Sequence, residues 1–406
     1  MKEAFEDKQY ARISRELARL HYNNIDPLIA FKKAILWSYN KLEDGTTHSY
    51  AAGADWLKLY LQSESLENKI IYLTEAIEYM SFDSLRHNTY AYSENIKEWD
   101  YEQFIKAVES QNENTAIELI NGAFLEGLHF NDIEKALVHI ALDHYNDFGH
   151  SLIYTQKTAY LIEKLGTDVE KELTQSLIRS IIKATREDLL PEFKKYNLYL
   201  NQVGEKSKEN DFFLKNVEHS MKLTNDLLQL NSPKEVYELL LTANAKNLLY
   251  FDLSYQDSTE SKVSENIGWL DFTHAITFSN AVNQLCNKYP QFWRSGLIQM
   301  SCFNGRNVSY LDLNIKTDIY EFSDYINFKN QVMEKILDHG IPTPIFPAHI
   351  LKTAIAIFNE YEKTANLELK KYLGISLNRF LQSPIKQKHA KRTIKQSLKL
   401  VSRDFK

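Results

Sequence analysis

Cysteine is nearly missing from this chain. Only Cys286 and Cys302 occur in 406 residues, which excludes a disulfide framework and a zinc site built on thiolates. Glycine (12) and proline (8) are also scarce, well under the ~7% and ~5% of average chains. Few breakers mean few tight turns, and that excludes a β-sandwich, a barrel or a disordered chain. No run of about 18 apolar residues occurs, so no membrane span is expected. The opening Met1-Lys2-Glu3-Ala4-Phe5-Glu6-Asp7 lacks the apolar core of a signal peptide, and the expected address is the cytoplasm. Positive charge is not in excess either. A formal net charge of −6 gives no electrostatic footprint for nucleic acid.

What remains is helix-former chemistry, with Leu, Ile, Ala, Glu and Lys abundant. The expected fold is all-α, a large multi-helix bundle. Apolar periodicity marks a helix after Asp26-Pro27 carrying Leu28, Phe31, Ile35 and Tyr39, and another carrying Ile70, Leu73, Ile77 and Met80. Asn131-Asp132 reads as a helix start, and Ser232-Pro233 as another. Residues 84–100 read as irregular. Residues 309–326 read as a short β hairpin or a loop excursion. Residues 341–347, with three prolines, read as an extended linker before one long helix over 348–373. No fixed repeat period appears, so the chain is expected to be one helical domain over 1–406, its one candidate sub-division being the charged loop 201–211. The basic segment from Lys386 to Arg403 reads as a solvated last helix, with Leu398 and Val401 packed on the body. The 24 Tyr and 21 Phe suit thick helix contacts, or a pocket for a planar ligand.

The most informative pattern is a histidine that recurs where helices open. Asp147-Phe148-Gly149-His150-Ser151 is echoed by Asp271-Phe272-Thr273-His274-Ala275. Thr47-His48-Ser49 shares the core of the pattern, and Phe346-Pro347-Ala348-His349 is a looser relative. The positive end of a helix disfavours an imidazolium, so a histidine there tends to stay neutral. Neutral imidazole can ligate a metal, accept a proton or donate a hydrogen bond. The upstream Asp either fixes the ring tautomer or caps the helix. His144 falls on the apolar stripe of Ile133, Leu137 and Ile140 and joins the candidates. Glu126-x-x-His129 has the spacing of a di-iron carboxylate bundle, but no second copy exists. Dinucleotide, phosphate-loop, metalloprotease and serine-elbow fingerprints are absent, and Asp143-His144 reverses the order of an HD phosphohydrolase.

Four blocks resemble the questin oxidase-like family, which includes bacterial helical proteins sometimes joined to a Rieske domain. They are residues 141–154 (ALDHYNDFGHSLIY), 184–193 (ATREDLLPEF), 273–278 (THAITF) and 349–353 (HILKT). The resemblance implies an oxidoreductase of Baeyer–Villiger type acting on aromatic rings, with NADPH as reductant. Carried over residue by residue, it selects His150, His274 and His349, with Arg186 and Glu187 behind them. The chain departs from the Rieske pattern, because neither cysteine begins a Cys-x-His pair. It therefore holds no Rieske cluster, and electrons would come from a separate donor.

The expected function is thus an oxidoreductase acting on a hydrophobic or aromatic small-molecule ligand. His150, His274 and Arg186 are its catalytic candidates, with His48, His144, His150, His274 and His349 as candidate metal ligands. The competing expectation is a non-catalytic helical scaffold whose histidines are structural.

Overall fold

The computed structural model describes residues 1–84 and 88–403. Among these residues the chain is all-α, and the extended pairings recorded are two isolated bridges, Asn146 with Arg186 and Phe251 with Leu311. Among the described residues no helix is long and apolar enough to cross a membrane. Contacts divide the chain into two compact units. The first gathers Met1–Leu190, Ala281–Ser295 and Met333–Lys352, and the second gathers Pro191–Asn280, Gly296–Val332 and the chain from Thr353 onward.

In the first unit, helix His48–Gln62 packs along Leu66–Asp83, which also receives Tyr10–Tyr22 and Leu28–Ser38. A run of small residues, Ala51-Ala52-Gly53-Ala54, brings the helix close to Phe31 and Met80. Ser65 starts the partner helix by accepting the Asn68 N–H at 3.3 Å. Helix His150–Leu165 packs against three others, His48–Gln62, Phe130–Asp143 and Glu170–Lys183. Its buried residues include Leu152, Ile153 and Leu161 together with polar His150, Thr155 and Lys157. The irregular stretch expected over 84–100 is found from 88, and residues 85–87 lie outside the described residues. Buried Arg179 anchors it, donating to the Tyr90 and Ala91 carbonyls at 2.9 and 3.1 Å while paired with Glu113 at 2.7 Å.

The second unit is centred on Pro233–Tyr250 packed against Leu367–Gln382. Ser232 and Glu235 cap the first of these reciprocally, with Pro233 in its first turn. Several sequence expectations are settled or changed by the helix boundaries. Residues 309–324 form single-turn 3₁₀ segments and loop, and 325–326 open helix Tyr325–Leu337, so the segment is the loop excursion and not the hairpin. The long helix expected over 348–373 is two helices, Ile345–Lys363 and Leu367–Gln382. Asn366 breaks it by accepting the Leu369 N–H at 3.1 Å, which makes a new N-cap cheaper than continuing the old helix. The helix also begins earlier than the linker reading allows, because Pro347 sits in the first turn, where no intrahelical N–H bond is lost. Finally, the last helix, Ala390–Val401, turns Leu398 and Val401 to solvent. Its docked face is polar instead, led by buried Arg392.

Gly122 shows how closely the first unit is packed. A Cβ there would overlap the Lys97 carbonyl, on the stretch that Arg179 anchors. Glycine to alanine inside a helix ordinarily stabilises by about 1 kcal/mol. Gly122→Ala should reverse that sign and destabilise by about 1–3 kcal/mol, the usual cost of overpacking, as read from denaturant unfolding.

Candidate histidine site

Two irregular segments build the frame of the site. The Asp147 N–H donates to the Thr185 carbonyl at 2.9 Å, and the Asp188 N–H to the Tyr145 carbonyl at 2.9 Å. The blocks around His150 and Arg186 are therefore laced together through their backbones. Asp147, Phe148 and Gly149 take φ values of 41°, 51° and 73°, three successive left-handed residues of which two are not glycine. That conformation costs roughly 1 kcal/mol or more per non-glycine residue, and strain of this kind gathers where the chain must aim a side chain. Here it aims His150, the first residue of helix His150–Leu165.

His150 Nδ1 lies 3.1 Å from Asp147 Oδ2. A carboxylate only accepts, so this contact puts the ring hydrogen on Nδ1 and leaves a lone pair on Nε2. Burial raises the Asp147 carboxyl, but the hydrogen bond and charge of His150 outweigh it, and the net direction is down. His150 Nε2 faces His48 Nε2 at 3.2 Å, and His48 Nδ1 lies 3.1 Å from the Tyr154 hydroxyl. Tyr154 is one helical turn after His150, and the two rings stack at 5.0 Å. His48 opens its own helix behind Thr47, whose hydroxyl accepts the Ser49 N–H at 3.2 Å and donates to Asp83. The third ring is His349, its centroid 4.7 Å from that of His48. His349 Nδ1 donates to the Ile345 carbonyl at 2.7 Å, so Nε2 carries the lone pair again. Burial first, then the Lys352 charge, push His349 well below the ordinary imidazole value, and it stays neutral.

Two proton arrangements fit this geometry. Tyr154 can donate to His48 Nδ1, with His48 Nε2–H donating to His150. Alternatively, His48 Nδ1–H donates to Tyr154, and two lone pairs then face each other. Two nitrogens 3.2 Å apart, each about 2.1 Å from one ion, would subtend about 100°. That lies between tetrahedral and octahedral angles, so the pair suits two coordination positions of a transition-metal ion.

His144 and Arg186 sit elsewhere. His144 is not on the buried stripe, because helix Phe130–Asp143 ends one residue before it. Its Nε2 meets Glu109 at 2.8 Å, and its Nδ1 lies 3.5 Å from Asp188. Burial lowers His144, but Asp188 and Glu109 together raise it above its ordinary value. Arg186 is committed to the same carboxylate, with Nε at 2.8 Å and Nη2 at 2.7 Å from the two Asp188 oxygens. Burial raises Asp188, yet Arg186 and His144 bring it down to about 2. This is a charged clip beneath the frame. Glu187 accepts the Phe148 N–H at 3.3 Å and so supports the left-handed turn.

His274 belongs to the second unit and is the sixth residue of helix Trp269–Lys288, not its first. It is buried, with Nδ1 2.6 Å from the Leu270 carbonyl, the same device as in His349. Asp271, the echo of Asp147, caps the helix by accepting the Gly268 N–H at 2.9 Å. The two upstream aspartates thus divide the two roles open to them, one fixing a tautomer and one capping.

Sequence reasoning missed Tyr154 and Lys352, although each follows a candidate histidine by one helical turn. Lys352 is 1% exposed, and its side-chain nitrogen has no hydrogen-bond partner among the described residues. Burial is the main cause that lowers it, to about 7; the nearby Asp55 opposes this, and Lys157 adds to it. Asp55 itself is bonded to Lys157 at 2.7 Å. Further along helix His150–Leu165, a cleft of about 640 Å³ is lined by residues including Phe130, Glu134, Tyr160 and Gln284. No family model, curated protein or solved structure matches this chain.

The buried amine gives a signed pH prediction. Between about 7 and 10.5 the unfolded chain holds a proton on Lys352 that the folded chain does not. Lys352 should therefore add stability as pH rises through that window, and nothing further below it. Thermal melts across the window should show a shallower rise for Lys352→Met than for the native chain. Equal slopes would remove Lys352 as a neutral amine.

Proposed function

We propose that the first unit carries a metal-dependent oxidoreductase centre that acts on a hydrophobic, aromatic small molecule. The observation that supports it most is the convergence of His48, His150 and His349 from three separate helices, with His150 and His349 each bonded through Nδ1 to an oxygen acceptor. In this reading His48 and His150 hold an ion through Nε2, with His349 beside them. The ion, when bound, supplies redox or Lewis-acid chemistry. Asp147 orients His150, and the Tyr154 hydroxyl passes a proton to or from His48 Nδ1. The neutral amine of Lys352 can accept a proton near neutral pH. Arg186 acts through Asp188 in positioning the frame, rather than by touching a substrate. NADPH or a separate electron donor would supply the electrons.

A second reading has its own support. The first proton arrangement satisfies Tyr154, His48, His150 and Asp147 with no ligand at all, as a structural network in a scaffold would.

Elemental analysis separates the two. Stoichiometric iron, zinc or manganese should accompany the purified chain and be lost in His48→Ala and His150→Ala. Asp147→Ala, which removes only the orienting group, should weaken the metal about 10–100-fold. Metal-free native protein, with these replacements lowering only the melting temperature, would leave the scaffold reading in place.

A further inference from the structure

Helix Ala390–Val401 is amphipathic in the wrong sense for a helix that merely covers the body. Its docked side is held by polar groups. The Arg392 guanidinium donates to the Tyr255 carbonyl at 3.2 Å, and the Gln396 amide to the Ser261 carbonyl at 2.7 Å and to Asn266 at 2.7 Å. Arg392 and Gln396 are one turn apart and share a face. At 100° per residue, Ile394, Leu398 and Val401 form a stripe about 170° away around the axis. They are 59%, 67% and 50% exposed. Lys391, Lys395 and Lys399 run along one flank of that stripe.

Charge adds a second, separate observation. The chain carries a net −6, yet residues 386–403 contain Lys386, Lys388, Lys391, Arg392, Lys395, Lys399 and Arg403 and no acidic residue. Lys395 is paired with Glu260 and Lys386 with Asp257 at 3.5 Å. The positive charge is therefore concentrated beside the strip formed by Ile394, Leu398 and Val401.

We propose that this face docks on an anionic lipid surface, with Ile394, Leu398 and Val401 entering the headgroup boundary and the flanking lysines meeting lipid phosphates. Lysine stems extend along apolar surface while their ammonium groups stay at the polar level, which suits charges that border the stripe. Three aliphatic side chains supply far less than the roughly 800 Å² per partner of a stable protein interface. A second copy of the chain would oppose lysine to lysine. Nucleic acid would leave the aliphatic stripe without a partner. The helix lies on the surface and does not cross it, as its 12 residues require.

The test uses the full chain with vesicles of phosphatidylcholine alone or with about one third phosphatidylglycerol, where anionic lipid attracts basic segments and salt screens them. The chain should co-sediment with the anionic vesicles and be released by high salt. Ile394→Ser/Leu398→Ser/Val401→Ser and Lys391→Gln/Lys399→Gln should each weaken binding at least about tenfold. All five positions are exposed, so both variants should keep the native melting temperature. In Leu398→Trp the indole emission should shift to the blue on adding anionic vesicles and stay unshifted with neutral ones. Binding that ignores lipid charge, or survives both variants, would overturn the proposal. So would absence of vesicle binding together with salt-sensitive retention on polyglutamate, which would assign the face to an acidic protein.

Discussion

The contact between His48 Nε2 and His150 Nε2 is the constraint on which the candidate site depends. Two helix starts from distant parts of the chain must meet within 3.2 Å, and several features of the first unit serve that meeting. The small-residue run after His48 lets its helix approach the neighbours that fix its position. The backbone lacing of residues 145–149 to 185–189 fixes the other partner. Asp147 and Tyr154 set which nitrogen of each ring carries hydrogen. A hydrogen-bonded imidazole pair and a two-nitrogen cradle differ here only in where one proton lies on His48. The same side-chain arrangement therefore serves a satisfied core and an ion site, and the chemistry turns on occupancy rather than rearrangement.

Much of the architecture was legible because it follows local rules. Scarce glycine and proline, helical periodicity and capping residues such as Ser232 pointed to helices without reference to tertiary contacts. The boundaries were less legible. The break at Asn366 and the early start before Pro347 depend on which cap competes best, and periodicity alone does not reveal that. The hairpin reading of residues 309–326 rested on alternation of Leu311, Leu313 and Ile315, but a strand needs a partner. Only Leu311 finds one, opposite Phe251.

At the site, the histidine pattern named the right kind of position for His48 and His150, each of which opens a helix. The pattern could not tell which upstream aspartate orients a ring. Asp147 and Asp271 look alike in sequence, and only the left-handed turn after Asp147 swings its carboxylate to Nδ1. His144 was misplaced because one residue of helix end decides whether a side chain faces the core or the charged clip. Tyr154 and Lys352 could have been found by asking what lies one turn beyond each candidate. The lowered affinity of Lys352 for protons could not, since it comes from burial that the sequence pattern does not report.

The three left-handed residues before His150 have one more consequence. They fix the ring by backbone conformation, and its orientation is settled when the chain folds rather than when a ligand arrives. A guest entering such a site has little ordering left to impose, so its association should carry a small conformational-entropy penalty. Selectivity would then rest on size and donor chemistry, with little contribution from induced adjustment.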